Sequence, residues 1–235
     1  MIVLGIETAG PRGSVALLRP DAPPVEVSFA ARGTLGAELA PAIQRLLEDN
    51  GLGPDTPPDL VAVDTGPGSY TGLRIGLAAA KGLAFAWGRP LLGIPAVEAL
   101  SAQAVELAGE ERHVLCALDA SRGEVYAAIY TREAEGLRLS SPGSLYAPQQ
   151  LDEQLQAPTL VVGDAAESLA DAARGIVAAE LAWPSATRIA YLAQRRYLDG
   201  AREDALDMAP IYYRPNEAEE QRRKRNMKKK SKKKR

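Results

Sequence analysis

Apolar residues fall along this chain in two rhythms, short unbroken runs and a spacing of three and four. The runs Ile2 to Ile6, Ser14 to Leu18 and Val25 to Ala30 predict three strands, divided by polar turns at Glu7 to Gly13 and Pro20 to Pro24. Between Gly36 and Asn50, Leu39, Ile43, Leu46 and Leu47 share one helical face, which Gly51 stops. Proline is tolerated in the first turn of a helix, so Pro41 puts the predicted start near Ala40. Leu60 to Val63, between Pro58 and Gly66, reads as a buried strand, and the small apolar residues from Thr71 to Ala86 read as a helix.

The second half repeats that order. Val97, Leu100, Ala104 and Leu107 keep helical spacing after Pro95. His113 to Ala120 and Val125 to Tyr130 are strands joined by a turn at Arg122 and Gly123, and Arg138 to Tyr146 is a third. Pro148 to Leu155 predicts a short helix, Thr159 to Val162 a buried strand, and Ala165 to Ala173 and Ser185 to Leu198 two helices. No short sequence period accompanies this, so any duplication is one of topology. The pattern predicts an α/β protein of two lobes, 1–94 and 95–215, with the last helix able to return to the first lobe.

The loop between the strand at Leu60 and the following helix reads GPGSYTG, residues 66–72. Its glycines permit tight backbone approach, and Ser69 or Thr71 is available to cap the helix. Gly72, Gly76 and Ala80 recur every fourth position and leave one helical face nearly without side chains. Two readings compete. A phosphate cradle at the helix N-terminus is one, although a Walker loop would end in Gly-Lys-Ser/Thr where this chain has Gly72, Leu73 and Arg74. A packing seam is the other, inside the fold or between subunits. Each interior glycine costs about 1 kcal/mol relative to alanine, and close packing is the usual compensation.

Composition narrows the classes. The 235 residues are 46% hydrophobic, enough for a real core. The single cysteine, Cys116, sits in a strand-like run and has no partner for an internal disulfide, as expected in a reducing compartment. No basic leader precedes the first apolar run and no run is long enough to span a bilayer, which predicts a cytoplasmic protein without membrane contact. The net charge of −2 conceals an asymmetry: residues 222–235 hold eleven of the 28 Lys and Arg, so the remainder carries −13. Lys81 is the only lysine before residue 222. Residues 216–235 are predicted to be a disordered polybasic tail, whose charge attracts polyanions. Arg222, Arg223, Lys224, Arg225, Lys228, Lys229 and Lys230 are its candidate RNA contacts.

Four segments in order carry a resemblance. GPGSYTGLRIGLAAAKGLAFA, followed by PLLGIPAVEALSAQA, is similar to the loop, helix and following segment of the TsaB (YeaZ-type) family. VLGIETAGPRGSVALL resembles that family's opening, LDASRGEVYAAIY its middle motif and MAPIYYRP its close, so the likeness spans residues 1–215. It implies the fold of the actin-like ATPase and sugar-kinase superfamily, two lobes each β-β-β-α-β-α. That superfamily binds ATP between its lobes, with hairpin loops holding phosphates and acids holding magnesium. Glu7 and Thr8 stand where the family usually has Asp-Thr, and Asp119 and Asp164 follow strands. These four are the candidate degenerate nucleotide site; the resemblance implies no cofactor on this chain alone, with ATP or ADP and magnesium at a subunit interface as the alternative.

The catalytic relatives of TsaD type hold a metal with two helical histidines. This chain has one histidine, His113, in a strand-like run, and Leu35-Gly36-Ala37 where the family often has His-Ser-Glu. The resemblance therefore implies a non-catalytic partner or scaffold subunit in forming N6-threonylcarbamoyladenosine at position 37 of tRNA. Its partners would be a TsaD-type transferase and a TsaE-type ATPase, with tRNA met through the complex and a homodimer in isolation. The expected partner or dimer interface is Gly68, Ser69, Tyr70, Thr71, Gly72, Arg74, Ile75, Gly76, Ala79 and Ala80. Two other readings stay open: an ATP-dependent transferase or kinase acting alone, and a tRNA-binding protein gripping through its tail.

Overall fold

A computed structural model describes residues 1–30, 34–105, 113–133, 136–152, 159–169 and 181–213. The predicted tail at 216–235, with all seven RNA-contact candidates, lies outside the described residues.

The first sheet is ordered β3-β2-β1-β4-β5, from β1 (Val3–Glu7), β2 (Arg12–Arg19), β3 (Ala22–Ala30), β4 (Leu60–Gly66) and β5 (Leu91–Pro95). β1 pairs antiparallel with β2 and parallel with β4. Both faces of β1 and β4 are covered, which is why these strands read as continuous apolar runs rather than alternating ones. Helices α1 (Leu35–Glu48) and α2 (Tyr70–Trp87) cover one face, where Leu39, Ile43 and Leu46 pack with Leu77 and Ala84 against Ile6, Leu17 and Val63.

The second sheet is ordered β8-β7-β6-β9, from β6 (His113–Asp119), β7 (Val125–Glu133), β8 (Gly136–Tyr146) and β9 (Thr159–Val162). Helix α3 (Ala96–Ala104) lies on one face, with Val97 and Leu100 against Val114, Cys116 and Leu118. The short α4 (Pro148–Asp152) follows β8. Helix α5 (Ala186–Leu198) then leaves this lobe for the free face of the first sheet, packing Ile189, Ala190 and Ala193 against Val3, Leu60, Leu92 and Ile94. Gly5 makes that descent possible, since a Cβ there would collide with the Ala186 carbonyl oxygen. The whole is α/β, the two-lobed actin-like ATPase and sugar-kinase arrangement.

Four boundaries differ from the sequence expectation. β5 was not predicted, because LLGIP is only five residues long and directly abuts α3. The first lobe therefore runs β-β-β-α-β-α-β. α1 starts at Leu35 rather than near Ala40, leaving Pro41 inside the helix. Burial of Leu35 and Leu39 offsets the backbone hydrogen bond that proline cannot make. β3 starts at Ala22, through two prolines that an exposed edge strand accepts. The helix expected over Ala165 to Ala173 is a 3-10 turn at Ala166–Leu169, and residues 170–173 lie outside the described residues.

Candidate functional site: two faces of a helix and the cleft beside it

α2 is fixed at both ends by its own sequence. Ser69 is the N-cap, its hydroxyl accepting from the Gly72 amide at 3.2 Å, and Gly88 closes the helix with a left-handed φ of 61°. Gly72 and Gly76 face the loop after β1. A Cβ at Gly72 would collide with the Thr8 carbonyl oxygen, and one at Gly76 with the Thr8 hydroxyl. That hydroxyl donates to the Gly72 carbonyl at 2.9 Å. Ala80 is wholly buried one turn further on. The side-chain-poor stripe is thus the seam that seats α2 on its own lobe, and this corrects the expectation that a foreign chain covers it.

The strip of α2 next to these glycines holds what a partner can reach. Ile75, Ala79, Leu83 and Trp87 face Leu39, Ile43 and Leu47 of α1 across a groove of about 530 Å³. Phe85, 90% exposed, stands on the same helix. Of the ten expected interface residues, Ser69, Thr71 and Arg74 are exposed, Gly68, Tyr70, Ile75 and Ala79 half-buried, and Gly72, Gly76 and Ala80 buried. Leu83, Trp87 and the α1 residues were missed, although the apolar spacing of both helices carried them. Arg74 and Tyr70 meet the C-terminal segment: the Arg74 Nε donates to the Tyr212 hydroxyl at 2.9 Å, its guanidinium lies 4.1 Å above the Tyr70 ring, and the two tyrosine rings stack at 5.0 Å.

Between the lobes lies a second cavity of about 530 Å³, whose lining includes Thr8, Gly10, Ser69, Asp119, Asp164, Trp183 and Tyr213. Three of the four nucleotide-site candidates meet here. Asp164 Oδ1 accepts from the Asp119 amide at 2.8 Å, and Asp119 Oδ1 accepts from the Ser121 amide at 2.7 Å. Burial raises the Asp164 carboxyl above its usual range, and the facing Asp119 adds to that. Ser121 and Arg122 hold φ of 59° and 61°, a left-handed conformation costing roughly 1–2 kcal/mol per residue, in the turn that follows.

Glu7, the fourth candidate, does not line the cleft. It is buried, and its Oε1 accepts from the amides of Ala9 at 2.6 Å and Gly10 at 3.0 Å. Of the four residues expected at a degenerate nucleotide site, Glu7 is therefore the one held away from the cleft. Its neighbour is Asp64, also buried, at the end of the adjacent parallel strand. Asp64 Oδ1 accepts from the Gly66 amide at 2.6 Å, and its Oδ2 has no partner. Burial, then the Asp64 charge, pushes the Glu7 carboxyl well up, with the Gly10 and Ala9 amides pulling the other way. Burial likewise pushes Asp64 up to about 7.

Among the described residues no three of His, Cys, Asp and Glu are grouped to hold a metal ion, and no helix is long and apolar enough to cross a membrane. His113 opens β6, its Nδ1 3.2 Å from the Thr131 hydroxyl, and burial raises the Cys116 thiol.

The model of the family described as "TsaD: tRNA N6-adenosine threonylcarbamoyltransferase" matches residues 31–221. The "tRNA threonylcarbamoyladenosine biosynthesis protein TsaB" of Haemophilus influenzae is 32% identical over 91% of this chain and 94% of its own length. Its Escherichia coli namesake is 29% identical over 93% and 96%. The crystal structure of "YeaZ from Pseudomonas aeruginosa" superposes with a TM-score of 0.78 at 25% identity, covering 90% of this chain and 99% of that one. On these matches over nearly its whole length, the chain belongs to the TsaB, or YeaZ-type, family.

Proposed function

We propose that this chain is a partner subunit in the formation of N6-threonylcarbamoyladenosine at position 37 of tRNA, supporting a TsaD-type transferase rather than performing the chemistry. The observation that carries this reading is the groove between α1 and α2. Monomeric proteins rarely leave a contiguous apolar surface open unless it meets a partner. Here the half-buried Leu52, Ile75, Ala79, Leu83 and Trp87 line such a surface. The transferase docks on it, a second copy of this chain occupies it in isolation, and the two assemblies compete. A TsaE-type ATPase joins the working complex, which acts on cytoplasmic tRNA.

The test is co-purification with the transferase, followed by a tRNA modification assay with this subunit omitted. Leu83→Arg, which puts a charge into the groove, should weaken transferase binding at least about tenfold, or ~1.4 kcal/mol. Unchanged affinity with the fold intact would overturn the docking surface.

A second reading rests on the eleven cations of residues 222–235. They add a phosphate grip on tRNA, and truncation after Asn216 should flatten the dependence of tRNA affinity on salt. An unaltered slope would leave the tail without that role.

A further inference from the structure

The loop between β1 and β2 is where this fold brings backbone amides to a nucleotide's phosphates. In this chain two of those amides are already engaged, since Glu7 Oε1 accepts from both Ala9 and Gly10. The loop has no room to move away from that contact. Behind it, the Ser69 amide donates to the Ala9 carbonyl at 2.8 Å, and a Cβ at Gly68 would stand 2.6 Å from the Ala9 Cβ. In front of it, the Trp183 ring is so close that a Cβ at Gly10 would lie 2.9 Å from Cγ. Across the cleft stand Asp119 and Asp164, and no Lys, Arg or His is among the described residues that line it. A polyphosphate entering here would meet engaged amides, an aromatic lid and carboxylates. The residues do not fit the nucleotide that the fold family implies.

We infer that the chain supplies its own occupant for the first phosphate loop, the Glu7 carboxyl group, and that the interlobe cleft is thereby closed to nucleoside polyphosphates. From its buried position outside the cleft lining, the Glu7 carboxyl takes the Ala9 and Gly10 amide hydrogens that a phosphate would need. Its extra methylene relative to aspartate lets the carboxyl group curl back over its own loop. The inference rests on loop geometry, not on the partner reading, so the two can fail separately: a nucleotide-free subunit can still dock a transferase.

Calorimetric titration of the full chain with magnesium-ADP, and separately with inorganic phosphate, tests it. Wild type should show no saturable binding up to about 1 mM, a limit of roughly 4 kcal/mol of affinity. Glu7→Ser, which releases the amides, should bind inorganic phosphate at least about tenfold more tightly than wild type does. The amide resonances of Ala9 and Gly10 should then move with phosphate in that variant only. Glu7→Gln keeps the acceptor oxygen and should match wild type.

Micromolar magnesium-ADP binding by wild type would overturn the inference. So would binding by Glu7→Gln, which would make charge rather than amide occupancy the barrier, or a folded Glu7→Ser that gains nothing. If Glu7→Ser does not fold, wild type and Glu7→Gln decide it between them.

Discussion

α2 turns Gly72 and Gly76 toward Thr8, and the adjacent strip of Ile75, Ala79 and Leu83 toward the α1 groove. Both faces are apolar and both are made of small or medium residues. They differ in what completes them. The inner face is complete within the chain, because its missing side chains are replaced by the Thr8 backbone and hydroxyl at a distance no Cβ allows. The outer face is incomplete, an open groove along the half-buried Ile75, Ala79, Leu83 and Trp87. The glycines therefore mark where α2 meets the Thr8 loop, and the half-buried strip of Ile75, Ala79 and Leu83 marks where its packing is left open. A residue stripe predicts close packing without saying which chain provides the other half.

The sharpest way to break this contrast is to add volume on the inner face. Gly76→Leu forces a branched side chain into the Thr8 side chain and should cost on the order of 3 kcal/mol or more. For a chain of this size that is a fall in Tm of roughly 6–12 °C. A variant that melts like wild type but no longer binds the transferase would restore the glycine stripe as the interface.

The next largest effect tests how well the inner face is sealed. Leu73, on that face, lies against Gly66, whose amide is held by the buried Asp64. Asp64 keeps its proton to about pH 7 when folded but loses it near 3.8 when unfolded. Between those values the native state binds more protons, so stability is fully present below about pH 4 and is lost as the pH rises to about 7. Asp64→Asn keeps the acceptor toward Gly66 and removes the titration. It should make the urea-unfolding profile shallower between pH 4 and 7, with Glu7 left as the remaining raised carboxyl, and it should be more stable than wild type at pH 7.5. Transferase affinity should not change, because this pair lies behind the sealed face.

On the outer face the signs reverse. Ala79 is one turn from Gly76 but lines the groove. Ala79→Arg should leave Tm within about 2 °C of wild type while weakening transferase binding by roughly 2 kcal/mol, about 30-fold by calorimetry. A Tm loss comparable to that of Gly76→Leu would mean that both faces are internal.

The sequence made the central strands and both helices legible because their burial is extreme. β1 and β4 are apolar throughout, and α1 repeats leucine and isoleucine at helical spacing. It hid β5, whose five residues carry no period long enough to separate a strand from a helix start. It also misassigned the direction of α2. Gly72, Gly76 and Ala80 are a property of the helix alone, whereas the Thr8 hydroxyl that fills the gap is 64 residues away. Glu7 was visible as a departure from the family's aspartate. That its oxygen curls onto the next two amides is a matter of loop geometry, and residue type does not encode it.

The smallest effect lies on the far side of the helix, where the C-terminal segment crosses α2. Tyr212 accepts a hydrogen bond from Arg74 and stacks on Tyr70, and the next backbone contact inward is the Ile211 amide donating to the Thr65 carbonyl at 2.7 Å. The Arg74 bond is exposed, so its net worth is small, whereas the ring stack survives replacement by phenylalanine. Tyr212→Phe should therefore cost no more than about 0.5 kcal/mol and Tyr212→Ala about 1 kcal/mol, read as shifts in urea midpoint at constant slope. If Tyr212→Ala destabilised the protein as much as Gly76→Leu, the C-terminal segment would be what holds α2 in place. The contrast between a face closed by Thr8 and a face left open would then have to be redrawn around that segment.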